Sequence, residues 1–196
     1  MVDVARIEAA VTELLEAIGE DPARPGLVDT PRRVAAAWQE YLAGLGRDPL
    51  DHLAGSVDLG GESASGDVVV MRGLEFRSMC EHHLVPMLGT AHLAYIPRDK
   101  VVGLGALPRV VDTLAARLQL QERLTEQIAD TLEQGLDALG VLVVLEATHG
   151  CVTARGVRQT GSTTVTVASR GTLEDVAARA EVMALMGAPR AEGGEE

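Results

Sequence analysis

Residues Ser78 to Met87 read "SMCEHHLVPM", a cysteine, a carboxylate and two adjacent histidines in front of an apolar run. The chain has two cysteines and five histidines, and three of those seven residues fall within four positions here. The other cysteine, Cys151, lies in "EATHGCVTARG" with His149 two positions before it. A Cys-x-x-His pair and a distant cysteine supply three soft or borderline donors. That two-cysteine, one-histidine set suits a catalytic zinc site, with the fourth position open for water. Spacing favours His83 as the ligand partner of Cys80, which leaves His82 and His149 as acid–base groups. A Cys80–Cys151 disulfide is the weaker reading for a chain in a reducing compartment. His52 and His92, each isolated in the sequence, read as hydrogen-bonded core histidines.

Other zinc chemistries fit poorly. A nucleobase deaminase needs His-x-Glu and Pro-Cys-x-x-Cys segments, and neither occurs; His-Glu-x-x-His is also absent. Composition narrows the classes further. A net charge of −12 lacks the basic field of a general nucleic-acid binder. It leaves room for an anionic small molecule in a locally basic pocket. Lys100 is the only lysine, so arginine supplies nearly all the positive charge. No apolar run approaches the ~20 residues that span a bilayer, and "MVDVARIEAAV" lacks the layout of a signal peptide. The expectation is a cytoplasmic protein with no membrane partner.

The elements that must position the cluster can be read from periodicity. Val4, Ile7, Val11, Leu14, Leu15 and Ile18 recur at helical spacing. "GEDPARPG" breaks that helix, and Thr30 as N-cap with Pro31 after it opens a second one to about Leu42. Such a pair is too small to bury a core alone. "AGSVDLGGESASG" (54–66) reads as a linker. Then come short strand candidates, "DVVVM", "LEFRSM", "AHLAYI" and "KVVGL". Two helices follow, marked by Leu107, Val110, Val111, Leu114 and Leu118, then by Leu124, Ile128, Leu132 and Leu136. "VLVVLEAT" and "TTVTVAS" are β-branched strands, 173–186 is helical, and the chain ends in a polar tail. Clustered rather than alternating elements predict an α+β fold with a largely antiparallel sheet. The expected organisation is a helical appendage and linker over 1–66, a catalytic domain over 67–186, and a disordered tail over 187–196.

Three segments, "SMCEHHLVPMLGTAHLAYIP", "LQLQERLTEQIADTL" and "EATHGCVTARGVRQTGSTTVT", together resemble GTP cyclohydrolase I, in order along the chain. The similarity extends over about residues 1–186, including "GEDPARPGLVDTPRRVAAAW". It implies a tunnelling fold (T-fold), an antiparallel sheet with helices on one face plus an N-terminal helical appendage. It also implies a toroidal homodecamer with active sites between subunits. Residue by residue, it makes Cys80, His83 and Cys151 zinc ligands and His82 and His149 proton-transfer groups. Gln121 and Glu122 would hold the guanine, while Arg109, Arg155 and Arg33 would meet the polyphosphate. The implied reaction opens the imidazole ring of GTP, or a related guanine nucleotide, at C8 and releases formate. The family's product is 7,8-dihydroneopterin triphosphate.

One departure stands out. The family has Gly-Leu-Ser-Lys before the helix that carries the phosphate-binding arginine, whereas this chain reads "GLGALPRVVD", with Gly105 and Ala106 in place of serine and lysine. A missing cation matters because a unit charge pair at 4 Å interacts by roughly 4 kcal/mol at an effective dielectric of ~20. The departure predicts weak preference for the triphosphate and accumulation of an opened pyrimidine intermediate. Two alternatives to a cyclohydrolase are a non-catalytic T-fold subunit and a T-fold nitrile reductase, which uses a thiol nucleophile without zinc.

Overall fold

The computed structural model describes residues 2–58 and 67–187. Most of the linker read at 54–66, and the tail beyond 187, lie outside the described residues. Helices α1 (Val4–Ala17) and α2 (Thr30–Tyr41) form the N-terminal pair. Asp3 caps α1 by accepting from the Arg6 N–H at 3.1 Å. In α2 the N-cap position falls one residue earlier than the sequence suggests, on Asp29. Its carboxylate is engaged by Arg32 and Arg33, so no side-chain cap forms there.

Two short strands, β1 (Val57–Asp58) and β4 (Lys100–Val101), pair with each other apart from the main sheet. The main sheet holds β2 (Val69–Cys80), β3 (Pro86–Ile96), β5 (Leu118–Gln119), β6 (Gly140–His149) and β7 (Thr164–Gly171), in the order β5-β2-β3-β6-β7. All its pairings are antiparallel except β2 with β5. "DVVVM" and "LEFRSM" turn out to be one strand, β2. Its register shifts between Met71 and Leu74, and Gly73 takes φ +70 there, so a bulge stands where the sequence suggests a break. "KVVGL" shrinks to the two residues of β4 because a glycine-rich turn follows at Gly103.

Helices α3 (Ala106–Ala115) and α4 (Gln121–Leu136) cover one face of the sheet. Leu124, Ile128, Leu132 and Leu136 are fully buried, the i, i+4 stripe of the sequence. They pack on Ala91, Leu93 and Tyr95 of β3 and Val141, Val143 and Leu145 of β6. The alternate residues Ala94 and Leu142 face the other side, where α6 (Val176–Gly187) adds Val182 and Met186 as cover. Leu118 belongs to β5 rather than to α3. The helix ends at Ala115, where the Ser78 hydroxyl donates to Ala115 O at 2.7 Å and Gln119 Nε2 donates to Leu114 O at 2.9 Å. Buried side chains thereby satisfy carbonyls that the helix leaves open.

The N-terminal pair joins this body through the segment after α2. Gly44 N–H donates to Ala116 O, while Arg117 donates from Nε to Gly44 O at 3.1 Å and from Nη2 to Arg47 O at 2.8 Å. Leu53, after a 3₁₀ turn at Pro49–His52, enters the main core at 2% exposure. Only glycine fits at position 44, because a Cβ there would lie 2.0 Å from Thr113 O. Gly44→Ala should therefore cost about 1–3 kcal/mol, the usual range for overpacking, read as a lower denaturant midpoint. An unchanged midpoint would show that the junction yields without loss.

Candidate metal centre

Cys80 ends β2 and is pinned on both sides. Its N–H donates to Val85 O and its carbonyl accepts from Leu84 N–H, each at 2.9 Å, while its neighbour Glu81 N–H donates to Gln119 O of β5. These bonds close a tight turn from Cys80 to Val85, with Leu84 held at φ 53. The turn presents His82 and His83 outward, both exposed, with their rings edge to face at 6.2 Å.

The second half of the cluster arrives on β6. Register places His149 opposite Met87, just past the turn, and the chain then enters the short helix α5 (Gly150–Thr153), which carries Cys151. Gly150 lets that helix close on the turn, since a Cβ there would already stand 3.1 Å from Pro86 O. As a result the donor atoms of Cys80, His83 and Cys151 all lie within 4.8 Å of one another. Burial and the adjacent Cys80 push the Cys151 thiol up from its ordinary value, and Arg155 works weakly the other way. The Cys151 thiol, buried against Cys80, therefore resists ionising until a cation joins it, and thiolate is the form that ligates. Two sulfurs and an imidazole make a donor set that fits zinc.

Gln121, the first residue of α4, is 1% exposed. Its Nε2 donates to Thr164 O at 2.9 Å, Thr166 Oγ1 at 3.1 Å and Leu145 O at 3.2 Å. That leaves Oε1 to accept from His149 Nε2–H at 2.7 Å. The network thus assigns the His149 tautomer, with Nδ1 left to take up or give a proton. Glu122, next on the helix, is exposed, and its carboxylate makes no hydrogen bond among the described residues.

The basic residues are dispersed. Arg155 follows α5 and is exposed. Arg109 lies on the first turn of α3 beside a cavity of about 280 Å³ that His52 and Gly103–Ala106 also line. Its Nη2 passes 3.8 Å from where a Gly105 Cβ would stand. Arg33 stays on the surface of α2, paired with Asp29 at 3.2 Å. A cavity of about 580 Å³ between α2, the β2–β3 end and α3 includes none of the cluster residues in its lining. Sequence reasoning missed the inward role of Gln121 and the ion pair of Glu81 with Arg123. A signal existed, since all three residues sit inside the motifs that carry the cluster, but nothing in one dimension pairs them.

The family model described as GTP cyclohydrolase I matches residues 7–187. GTP cyclohydrolase 1 of Leifsonia xyli subsp. xyli is 61% identical over 185 residues, covering 94% of this chain and 96% of that protein. GTP cyclohydrolase 1 of Carboxydothermus hydrogenoformans is 53% identical over 189 residues, covering 95% and 96% respectively. Among solved structures, an apo archaeosine synthase QueF-Like aligns with 53% of this chain and 93% of its own, at 19% identity and a TM-score of 0.45. With the family model spanning nearly the whole chain, and close relatives matching almost end to end, the chain belongs to the GTP cyclohydrolase I family.

Proposed function

We propose that this chain is a zinc-dependent cyclohydrolase that opens the imidazole ring of GTP, or a closely related guanine nucleotide, at C8 with release of formate. The observation that carries this is the convergence of Cys80, His83 and Cys151 from two distant segments. These three residues would hold zinc, which supplies an acidified water, its pKa lowered to ~7. His149, held through Nε2 by Gln121, moves a proton at its Nδ1, matching the need to protonate N7 as the ring opens. His82 is the second proton-transfer group. The free carboxylate of Glu122 accepts two hydrogen bonds from the amide and amino N–H groups of guanine. Gln121 serves the substrate through His149, since its own amide is engaged inside the chain.

Two substitutions separate ligand from proton carrier. Cys151→Ala should lose both zinc and activity. His149→Ala should keep about one zinc per chain and slow turnover by ~10²–10⁴-fold, the usual worth of a general acid or base. Full metal content in the first variant, or loss of metal in the second, would overturn the assignment. Formate release from GTP by the parent protein separates this reading from a non-catalytic subunit, and its zinc content separates it from a thiol-based reductase.

The polyphosphate end rests on Arg109, Arg155 and Arg33, each able to grip phosphate in a bidentate way. Arg33 sits on the surface of the N-terminal helix pair, and His82, His83, Glu122 and Arg155 are all exposed in the single chain. We therefore place Arg33 at the site of a neighbouring subunit in a cytoplasmic homo-oligomer, a homodecamer on the family's pattern. A fully active monomer by size-exclusion chromatography with light scattering would exclude that arrangement.

Gly105 and Ala106 leave this end short of a hydroxyl and a cation. Discrimination between GTP and GMP should be less than about tenfold in kcat/KM, or ~1.4 kcal/mol, with an opened pyrimidine accumulating beside any finished pterin. Gly105→Ser with Ala106→Lys should shift the preference towards GTP. Clean conversion of GTP to a fluorescent pterin, with GMP ignored, would refute this.

A further inference from the structure

Glu81 lies between Cys80 and His82 and has no part in the chemistry above. Its carboxylate accepts from Arg123 Nη2 at 2.5 Å. Arg123 is itself fixed at two further points, with Nη2 donating to Leu118 O and Nε to Gln119 Oε1, each at 3.0 Å. Gln119 is 1% exposed and donates from Nε2 to Leu114 O and Gln127 Oε1, each at 2.9 Å. An unbroken chain of hydrogen bonds therefore runs from the packed interior to the middle of the ligand-bearing turn. The turn needs such an anchor. His82, His83 and Leu84 are exposed and Leu84 has a positive φ. Glu81 supplies a side-chain hydrogen bond that ties the turn to another element, α4. The pair itself is partly open to water, at 41% and 30% exposure, so it adds little to global stability.

We propose that the Glu81–Arg123 ion pair is a positioning device for the metal-ligating turn. It holds Cys80 and His83 in the one arrangement where their donors meet Cys151. This rests on the zinc reading above. An arginine suits the task because one planar guanidinium reaches Glu81, Leu118 and Gln119 together.

The test is zinc affinity, measured on the full-length, metal-stripped protein by competition with a chromophoric chelator. The variants are Glu81→Ala, Arg123→Met and the two combined. Each single variant should bind zinc about ten- to a hundredfold more weakly, the usual effect of losing a ligand's supporting partner. The double variant should be no weaker than the worse single one, because both remove the same link. Glu81→Gln, which keeps a neutral acceptor, should recover part of the loss. The melting temperature of the metal-free Glu81→Ala protein should stay within about 4 °C of the parent, as fits a partly exposed ion pair of small worth to stability. Affinity within about twofold of the parent in Glu81→Ala, or additive losses in the double variant, would overturn the proposal. Should Glu81→Ala fail to fold, Arg123→Met decides by the same criterion. A parent that binds no zinc would sink this inference and the functional reading together. A parent that binds zinc and loses it in Cys151→Ala, with Glu81→Ala unaffected, would sink this one alone.

Discussion

Met87 faces His149 across β3 and β6, and that pairing decides whether the second ligand-bearing segment meets the first. Side chains alternate along a strand, so a slip of one residue would exchange the two faces of β6, sending Val141, Val143 and Leu145 away from α4 and Leu142 towards it. It would also carry Cys151 about 3.4 Å along the strand direction. For the proposed zinc, a metal–sulfur distance of ~2.3 Å would leave no room for that error. The register is held by the core rather than by the site: Ala91, Leu93 and Tyr95 on β3 and Val141, Val143 and Leu145 on β6 are at most 1% exposed. Precision at the cluster is thus borrowed from aliphatic packing well away from it. With aromatics at only 2% of the chain, leucine, valine and alanine provide that packing.

Once the strands are in register, the first turn of α4 organises what surrounds the cluster. Successive residues on a helix point about 100° apart, and Gln121, Glu122 and Arg123 use this to reach three destinations. Gln121 turns inward to β6, β7 and His149, Glu122 stays in solvent, and Arg123 reaches Glu81 on the β2–β3 turn. The helix cannot rotate to favour one of these at the expense of another, because the stripe from Leu124 to Leu136 is fully buried. One short sequence therefore touches both ligand-bearing segments.

This explains which parts of the molecule were legible in the sequence. Periodic features survived: the buried stripe of α4, the alternation in β3 and β6, and the order of strands and helices. Cys80, His83 and Cys151 could be grouped because cysteine is rare here and carries its chemistry by type. Features set by tertiary contact did not show. The two apparent strands before Cys80 merge through a bulge, and Leu118 leaves a helical pattern to pair with β2 beside Met79. Gln121 could be marked as a site residue but not given its inward direction, since burial of an amide depends on acceptors from β6 and β7. The Glu81–Arg123 pair spans 42 positions, and nothing local announces it.

The proposed metal end and the proposed polyphosphate end also differ in how they are built. The metal end is locked into the sheet. The other end includes the first turn of α3, where Gly105 stands at the N-cap without a side-chain cap. Helix N-termini often bind phosphate through free backbone N–H groups, but few are free here. Ala106 N–H is spent on Gly103 O at 2.8 Å, Leu107 N–H on Leu104 O at 3.3 Å, and Pro108 has none. The backbone therefore cannot stand in for a lysine at position 106, and the Arg109 side chain is the cationic donor on this turn. The fold tolerates the change because the buried face of α3 rests on Leu107, Val110, Val111 and Leu114. Ala106 is itself only 8% exposed. A lysine at that position would have to lay its stem along the core and carry its charge outward, so a cation there would depend on how the buried face of α3 accommodates that stem.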